Sequence, residues 1–318
     1  MMKKGVISLG EALIDFIPLD EHNVTYQKSP GGAPANVAVG VARLQTPSTF
    51  VGKVGNDVLG RFLKETLQNY GVNTNYMSMT DDVRTGAVFV TLGQGGERSF
   101  DFYIDPSADR FLQEEDIVDT LFEEHNILHV GSISMISEPS RSATEKAVEQ
   151  AKEKGLIVSY DPNLRLSLWQ SEQQAKETIL SIMPKVDVLK ISEEELEFLT
   201  GEAEIEIGVA SLKEQYNIPL IFITLGAEGS YAFMKDGSVR VPAMKVNAVD
   251  TTGAGDAFVS GILYCLANMN ESVNEITLEK ARKMAEFASV SGGLAASQKG
   301  AMTALPTLEK VELLVKRN

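Results

Sequence analysis

Short apolar runs alternate with longer stretches of helical periodicity along most of the chain. The runs at 5–9, 48–51, 127–130, 156–160, 186–191 and 220–225 are nearly unbroken and are read as strands buried on both faces. The segments at 35–44, 58–70, 141–154, 172–183, 193–199 and 209–215 fall between them and carry helical spacing. This alternation predicts βαβ units and an α/β fold, a doubly wound and mostly parallel sheet flanked by helices. Beyond about residue 257 the pattern is almost all helix, at 257–267, 278–295 and 308–316.

Two stretches break the rhythm, 11–28 and 86–103, both extended and without a crossover helix. In the second, Gly93-Gln94-Gly95-Gly96 separates apolar runs at 87–92 and 98–103, a hairpin signal. Neither stretch buries enough apolar area to fold alone, so both are expected in one small sheet, a lid beside a ligand cleft. The predicted division is a core of residues 1–10, 29–85 and 107–318 and a β lid of residues 11–28 and 86–106.

Composition narrows the function. The chain has 318 residues, 43 % hydrophobic and 23 % charged, which argues against disorder. Its 29 Lys and Arg face 44 Asp and Glu, a formal charge of −15, and such a surface repels nucleic acid and anionic lipid. A small anion can bind only where backbone N–H groups or a local cation overcome that field. Cys265 is the single cysteine, so no internal disulfide forms, as suits a reducing compartment. Glu11 and Asp15 interrupt the first apolar run too early for a secretory core, and no run reaches membrane-spanning length. The expectation is a soluble, cytoplasmic protein with no membrane partner.

The chemistry concentrates in Asp250-Thr251-Thr252-Gly253-Ala254-Gly255-Asp256, where a loop of small residues opens a helix near Ala254. Free N–H groups of a first helical turn and the positive end of its dipole make an anion site, and glycines let an oxyanion approach. A carboxylate beside such a site makes sense if Asp256 accepts a proton from a hydroxyl that attacks a bound phosphoryl group. The competing reading is that Asp250 or Asp256 caps the helix. A second segment, Gly31-Gly32-Ala33-Pro34-Ala35-Asn36, also precedes a helix and is either a tight turn or a ligand-binding one, with Asn36 placed to bond a hydroxyl. Asp15 is a carboxylate in an apolar strand, facing either ligand or solvent. Thr224-Leu225-Gly226-Ala227-Glu228-Gly229 ends a strand with a turn at the sheet edge where ligands of open α/β folds bind. Ser192-Glu193-Glu194-Glu195 is a helix start whose acids suit the dipole, or organise Mg²⁺ and its waters near phosphates. The chain lacks a Walker-type phosphate loop, a dinucleotide fingerprint, a zinc-ligand pattern and a serine nucleophile elbow.

Both glycine segments, in this order and separation, are similar to the signatures of the ribokinase-like (pfkB) carbohydrate kinase family. The resemblance covers essentially the whole chain and removes helix capping as the main reading of Asp256. It implies a doubly wound core with a β lid and transfer of the γ-phosphoryl of ATP to a sugar hydroxyl. It further implies Asp256 as base and an anion hole from the N–H groups of Gly253, Ala254 and Gly255. Asp15, Gly31, Gly32 and Asn36 would hold the sugar. Thr224, Gly226 and Gly229 would flank the nucleotide, with Ser289 and Gly300 on its other side. Asp250, the carbonyl of Thr252 and the loop at Gly300 would take a monovalent cation, usually K⁺ in this family, although residues 297–301 fit only in part. Glu195 keeps the acidic position that serves Mg²⁺ through water, while Ser192 stands where the family often has Asn.

Within the family the chain looks most like bacterial fructokinases in Gly10-Glu11-Ala12-Leu13-Ile14-Asp15-Phe16, in Tyr160-Asp161-Pro162-Asn163-Leu164-Arg165 and in Lys190-Ile191-Ser192. Lys190 falls in this last segment and is assigned to the nucleotide side. Phe102-Tyr103-Ile104-Asp105 also matches, with Ile104 where an Arg is usual, and Tyr103 becomes a candidate sugar contact. Arg165 is a candidate cation near sugar or phosphate, or a structural pair with a neighbouring acid. The resemblance thus implies an ATP- and Mg²⁺-dependent fructokinase making fructose 6-phosphate. The alternatives are 2-keto-3-deoxygluconate kinase, ribokinase, a riboside kinase and, from another class, a non-catalytic sugar-binding sensor. Exposed lid strands invite pairing of two copies into a homodimer.

Overall fold

The computed structural model describes residues 4–93 and 98–316. In chain order the first half contains β1 (Val6–Leu9), β2 (Leu13–Pro18), β3 (Tyr26–Gly31), α1 (Ala33–Arg43), β4 (Ser48–Gly55) and α2 (Val58–Asn69). There follow β5 (Met77–Thr80), β6 (Ala87–Leu92), β7 (Arg98–Phe102), β8 (Ile127–Val130), α3 (Ser140–Glu153) and β9 (Ile157–Tyr160). The second half adds α4 (Glu172–Ser181), β10 (Val188–Ser192), α5 (Glu193–Thr200), α6 (Ile205–Tyr216) and β11 (Leu220–Thr224). It closes with β12 (Ser230–Met234), β13 (Gly237–Val241), α7 (Ala254–Ala267), α8 (Leu278–Ala296) and α9 (Leu308–Val315).

Nine strands form one sheet in the order β13-β12-β11-β10-β9-β8-β1-β4-β5. The run from β11 to β5 is parallel, and β12 and β13 join antiparallel at one edge. Alternation along each strand explains why both faces carry helices. In β11, Leu220 and Phe222 enter the core under α7 and α8, while Ile221 and Ile223 enter the opposite core under α3, α4, α5 and α6. The doubly wound α/β architecture predicted from the alternation is what the chain adopts. β5, β12 and β13 are strands that the apolar runs did not reveal. The outermost, β13, alternates buried Val239 and Val241 with exposed Ser238 and Arg240, a one-sided edge pattern rather than an unbroken run.

A second sheet has four strands in the order β3-β2-β6-β7. β2 pairs antiparallel with β3 and parallel with β6, and β6 pairs antiparallel with β7. β3 runs on to Gly31, past the boundary drawn at residue 28, so the strand itself delivers the chain to the start of α1. Of the hairpin turn anticipated at 93–96, residues 94–96 lie outside the described residues.

Three helices that bear on the site, α1, α7 and α8, pack along one face of the large sheet. α7 crosses α1 where Gly40 meets the side chain of Ser260, and crosses α8 where a Cβ on Gly261 would lie 2.8 Å from the Cα of Ala288. Ser260 Oγ donates to the carbonyl of Asp256 at 2.7 Å, pinning the first turn of α7. Gly40→Ala would place a methyl group inside the Ser260 side chain. Overpacking of this kind costs about 1–3 kcal/mol, more than the helix-propensity gain of roughly 1 kcal/mol, so the midpoint of chemical denaturation should fall.

Candidate active site

From β1 the chain winds one way, through β4 to β5, and from β8 it winds the other way, through β9 and β10 to β11. The two directions part between β1 and β8, and ligands of open α/β sheets bind at the carboxyl ends of strands beside such a reversal. The strands there deliver polar side chains. Glu11 follows β1, Asp161 follows β9, Lys190 lies in β10 and Thr224 ends β11.

α7 points its amino terminus at this edge. Gly253 caps it with φ of +76°, a left-handed conformation that suits glycine. Among the described residues, the N–H groups of Gly253 and Gly255 have no protein acceptor, whereas that of Ala254 donates to the carbonyl of Thr251 at 3.1 Å. The anion hole expected from the sequence would therefore rest on Gly253 and Gly255. Ala254 is removed from it because its N–H closes the turn that leads into the helix.

Two cavities meet at this helix tip. The first, about 410 Å³, is lined by acids (Glu11, Asp15, Asp161 and Asp256), by Asn36, Arg165 and Lys190, and by Gly32, Thr252 and Gly253. The second, about 550 Å³ and more apolar, is walled by Thr224, Gly226, Gly229, Met244, Ala254, Phe258 and Ser289. Thr251 and Gly255 border both. Volumes of this size suit small-molecule ligands.

Asp256, 9 % exposed, sits in the first turn of α7 with its side chain in the smaller cavity. Asn36 Nδ2 donates to its Oδ2 at 2.7 Å. Burial raises its pKa to about 6; the Asn36 hydrogen bond, Lys190 and Arg165 pull it down, and Asp161 pushes it up. Lys190 Nζ pairs with Asp161 Oδ2 at 3.0 Å, and the nearby carboxylates raise the lysine pKa despite burial.

The small sheet closes the cavity from above. Leu13 and Asp15 of β2, Val88 of β6, and Phe100 and Phe102 of β7 face into it. Burial lifts the Asp15 carboxyl to about 7, opposed by Arg165 and assisted by Asp256. Gly31 does not border the cavity, but its Cα packs so closely on the Asp15 carboxyl that a Cβ would overlap it. Gly32, at φ +100°, would drive a Cβ to 2.5 Å from the carbonyl oxygen of Glu11. The Gly-Gly turn is thus demanded by close approach.

Several assigned residues stand elsewhere. Lys190 borders the smaller cavity and not the larger, because β10 lies beneath Asp161. Tyr103 lies on the opposite face of the small sheet from Val88, 70 % exposed, its ring edge-on to Phe89 at 5.6 Å. Phe100 and Phe102 take the place assigned to it. Arg165 borders the cavity and has no carboxylate within ion-pair distance among the described residues, which removes the structural-pair reading. Ser289 Oγ accepts the N–H of Met244 at 3.0 Å. Glu195 accepts the N–H groups of Leu164 and Ser192 at 2.7 and 2.8 Å and forms a capping box with Ser192. Asp250 joins two loops, taking the N–H of Thr252 at 3.0 Å and that of Gly300 at 3.1 Å. The sequence reading did not assign Glu11 or Asp161 to the site. The available signal was position, since each is an acid at the first or second residue beyond an apolar strand.

The fold and the paired cavities place a buried carboxyl between an acid-lined pocket and a helix tip with free N–H groups, the arrangement expected of a kinase. The pfkB family carbohydrate kinase profile matches residues 3–308, and the chain belongs to that family. It is 43 % identical to the fructokinase of Vibrio alginolyticus over 305 residues, 96 % of each chain. A double mutant of fructokinase from Vibrio cholerae O395, solved in fructose-, ADP- and potassium-bound form, is 42 % identical, covering 99 % of this chain and 100 % of its own, with a TM-score of 0.89. Aminoimidazole riboside kinase from Salmonella enterica, complexed with aminoimidazole riboside and an ATP analogue, is 30 % identical, covering 98 % and 99 % of the two chains, with a TM-score of 0.88.

Replacing Asn36 by Leu removes a charge-assisted donor at nearly constant volume. The Asp256 titration, followed by carbon NMR, should move upward from about 6 by on the order of one unit.

Proposed function

We propose that this chain is a fructokinase that transfers the γ-phosphoryl group of ATP to the 6-hydroxyl of D-fructose. The observation that carries this reading is the position of Asp256, beside the unbonded N–H groups of Gly253 and Gly255, where the two cavities share a wall. Fructose occupies the acid-lined cavity and ATP the more apolar one, its γ-phosphoryl at the helix tip. Asp256 takes the proton of the 6-hydroxyl, the oxygen forms its bond to phosphorus, and the bond to the β-phosphate oxygen breaks to leave ADP. A pKa near 6 keeps Asp256 ionised at neutral pH while leaving it more basic than an ordinary carboxylate. The small sheet acts as the lid that keeps water from competing as acceptor.

The acceptor cavity favours a neutral sugar. Asp15, Asp161 and Asp256 line it besides Glu11, and Lys190 is already paired with Asp161, so among its lining residues only Arg165 is left to meet the carboxylate of an acidic sugar such as 2-keto-3-deoxygluconate. Arg165 is left to steady the moving phosphoryl group. Mg²⁺ on the nucleotide phosphates would supply charge neutralisation. Both oxygens of Glu195 are occupied by backbone N–H groups, so its fit to such an ion is through water, and no cluster of three or more metal-ligating side chains occurs among the described residues. K⁺ takes oxygen ligands, and the loops joined by Asp250 and Gly300 offer them, with Thr252 alongside. A homodimer through the small sheet belongs to the same reading, since β3 and β7 are its outer strands and Tyr103 extends its aromatic cluster toward solvent. No helix among the described residues is long and apolar enough to cross a membrane; a cytoplasmic setting completes the proposal.

A coupled ADP-release assay over fructose, 2-keto-3-deoxygluconate, ribose and aminoimidazole riboside, with and without K⁺, tests the assignment. Fructose should give the highest kcat/KM. Asp256→Asn should lower kcat by about 10²–10⁴ or more while fructose affinity changes only a few-fold. Near-normal turnover in that variant refutes the mechanism.

A further inference from the structure

Glu11 is a buried carboxyl with no role in the steps above. It is 3 % exposed, borders the acceptor cavity and has no cation within ion-pair distance among the described residues. Its Oε1 accepts the N–H of Ala33 at 3.1 Å, and its Oε2 is buried without a hydrogen-bond partner. Ala33 is the first residue of α1, a helix whose N-cap is Gly32, with no side-chain cap and no acid in its first turn. Glu11 therefore does from a neighbouring strand end what a capping side chain does from within the helix, and it bonds one of the free N–H groups. Within that same first turn, Asn36 reaches out to Asp256.

We propose that Glu11 is a positioning residue for this reaction, a carboxyl that works as a neutral acid, anchors the start of α1 and so sets Asn36 against the catalytic base. The inference rests on the kinase reading for its kinetic consequence but not for its protonation state. The groups facing Glu11 explain why the proton stays. Asp109 from the 108–111 turn and Asp256 from α7 both oppose ionisation. Across the cavity stand Asp15 and Asp161, with Lys190 committed to Asp161 and Arg165 on the far side near Asp15. Burial is the largest influence and raises the pKa from 4.5 to about 8; the N–H groups of Glu11 itself and of Ala33 only moderate it. An ionised Glu11 would add negative charge beside Asp109 and Asp256, and would weaken the discrimination that leaves Asp256 as the group ready to take a proton.

The sign of the pH effect follows. Between about 4.5 and 8 the folded chain holds a proton at Glu11 that the unfolded chain releases, so this residue makes stability fall as pH rises through that window. The test compares full-length wild type, Glu11→Gln and Glu11→Ala by thermal melting without ligands and by ADP release with fructose, from pH 5 to 9.5. Glu11→Ala should lose tenfold or more in kcat with a smaller change in KM, and Glu11→Gln, which keeps an acceptor for Ala33, should recover most of that loss. The melting temperature of Glu11→Gln should gain on wild type as pH rises to about 8 and then run parallel. The decline of wild-type kcat above that pH should be absent in Glu11→Gln. Should the Ala variant fail to fold, Glu11→Asp, which keeps the carboxyl and loses the reach, should behave as the defective one. The proposal is overturned if Glu11→Gln is no better than Glu11→Ala or Glu11→Asp, or if wild type and Glu11→Gln share one melting slope. Absence of turnover on every sugar would refute the fructokinase assignment, while the melting series would still decide the state of Glu11.

Discussion

One hydrogen bond ties the two halves of the site together. Asn36 belongs to the helix that starts at the Gly-Gly turn of the acceptor side, and Asp256 to the helix whose tip collects anions. Neither helix could hold its partner at 2.7 Å unless the two were pressed together along their length. The contact of Gly40 with Ser260 supplies that pressure, and Ser260 bonded to the Asp256 carbonyl transmits it to the turn that carries the base. Small residues at the α1–α7 and α7–α8 crossings are therefore part of the chemistry, since a methyl group at either would move a carboxylate that must be placed to within a fraction of an ångström.

The second constraint is electrostatic. For a chain of formal charge −15 to bind a polyanionic nucleotide, the proposed site offers oriented backbone N–H groups rather than a cluster of basic side chains. In the smaller cavity the reverse holds, with four acidic side chains converging on one space. Burial raises three of them by different amounts, Asp256 to about 6, Asp15 to about 7 and Glu11 to about 8. Asp256 is lowest because Asn36, Lys190 and Arg165 all favour its charged form. That ordering supports the proposal of Asp256 as the base.

The sheet and its helices were legible because strands buried on both faces must be nearly continuously apolar, as in 220–223. β5, β12 and β13 were not, because an edge or half-exposed strand mixes polar and apolar positions. In the site, Asp256, Asn36 and Gly32 could be named because glycine-rich turns before helices are local patterns with a mechanism, and Asp15 because a carboxylate in an apolar strand stands out. Tyr103 was misplaced for a different reason. A strand residue and its neighbours alternate between faces, and the motif Phe102-Tyr103 does not say which ring looks inward until the register of β6 against β7, Val88 opposite Phe102, is known. Ala254 was misjudged because an N–H in a glycine-rich loop can close the loop instead of serving a ligand, and only geometry separates the two.

Glu11 and Asp161 escaped a motif-based reading because their meaning is topological. A lone acid after an apolar run is unremarkable in sequence, and it becomes informative when the strands are ordered in space. β1 and β9 are separated in the sheet only by β8, so acids that lie about 150 residues apart in the chain end on one cavity floor. Burying a carboxylate without a cation is costly, and the chain uses a cation for only one of the two, pairing Asp161 with Lys190. The unequal treatment divides the labour. Asp161 fixes the lysine near Gly255, while the unpaired Glu11, in the role proposed for it, is held by burial in the form that adds no charge beside Asp256.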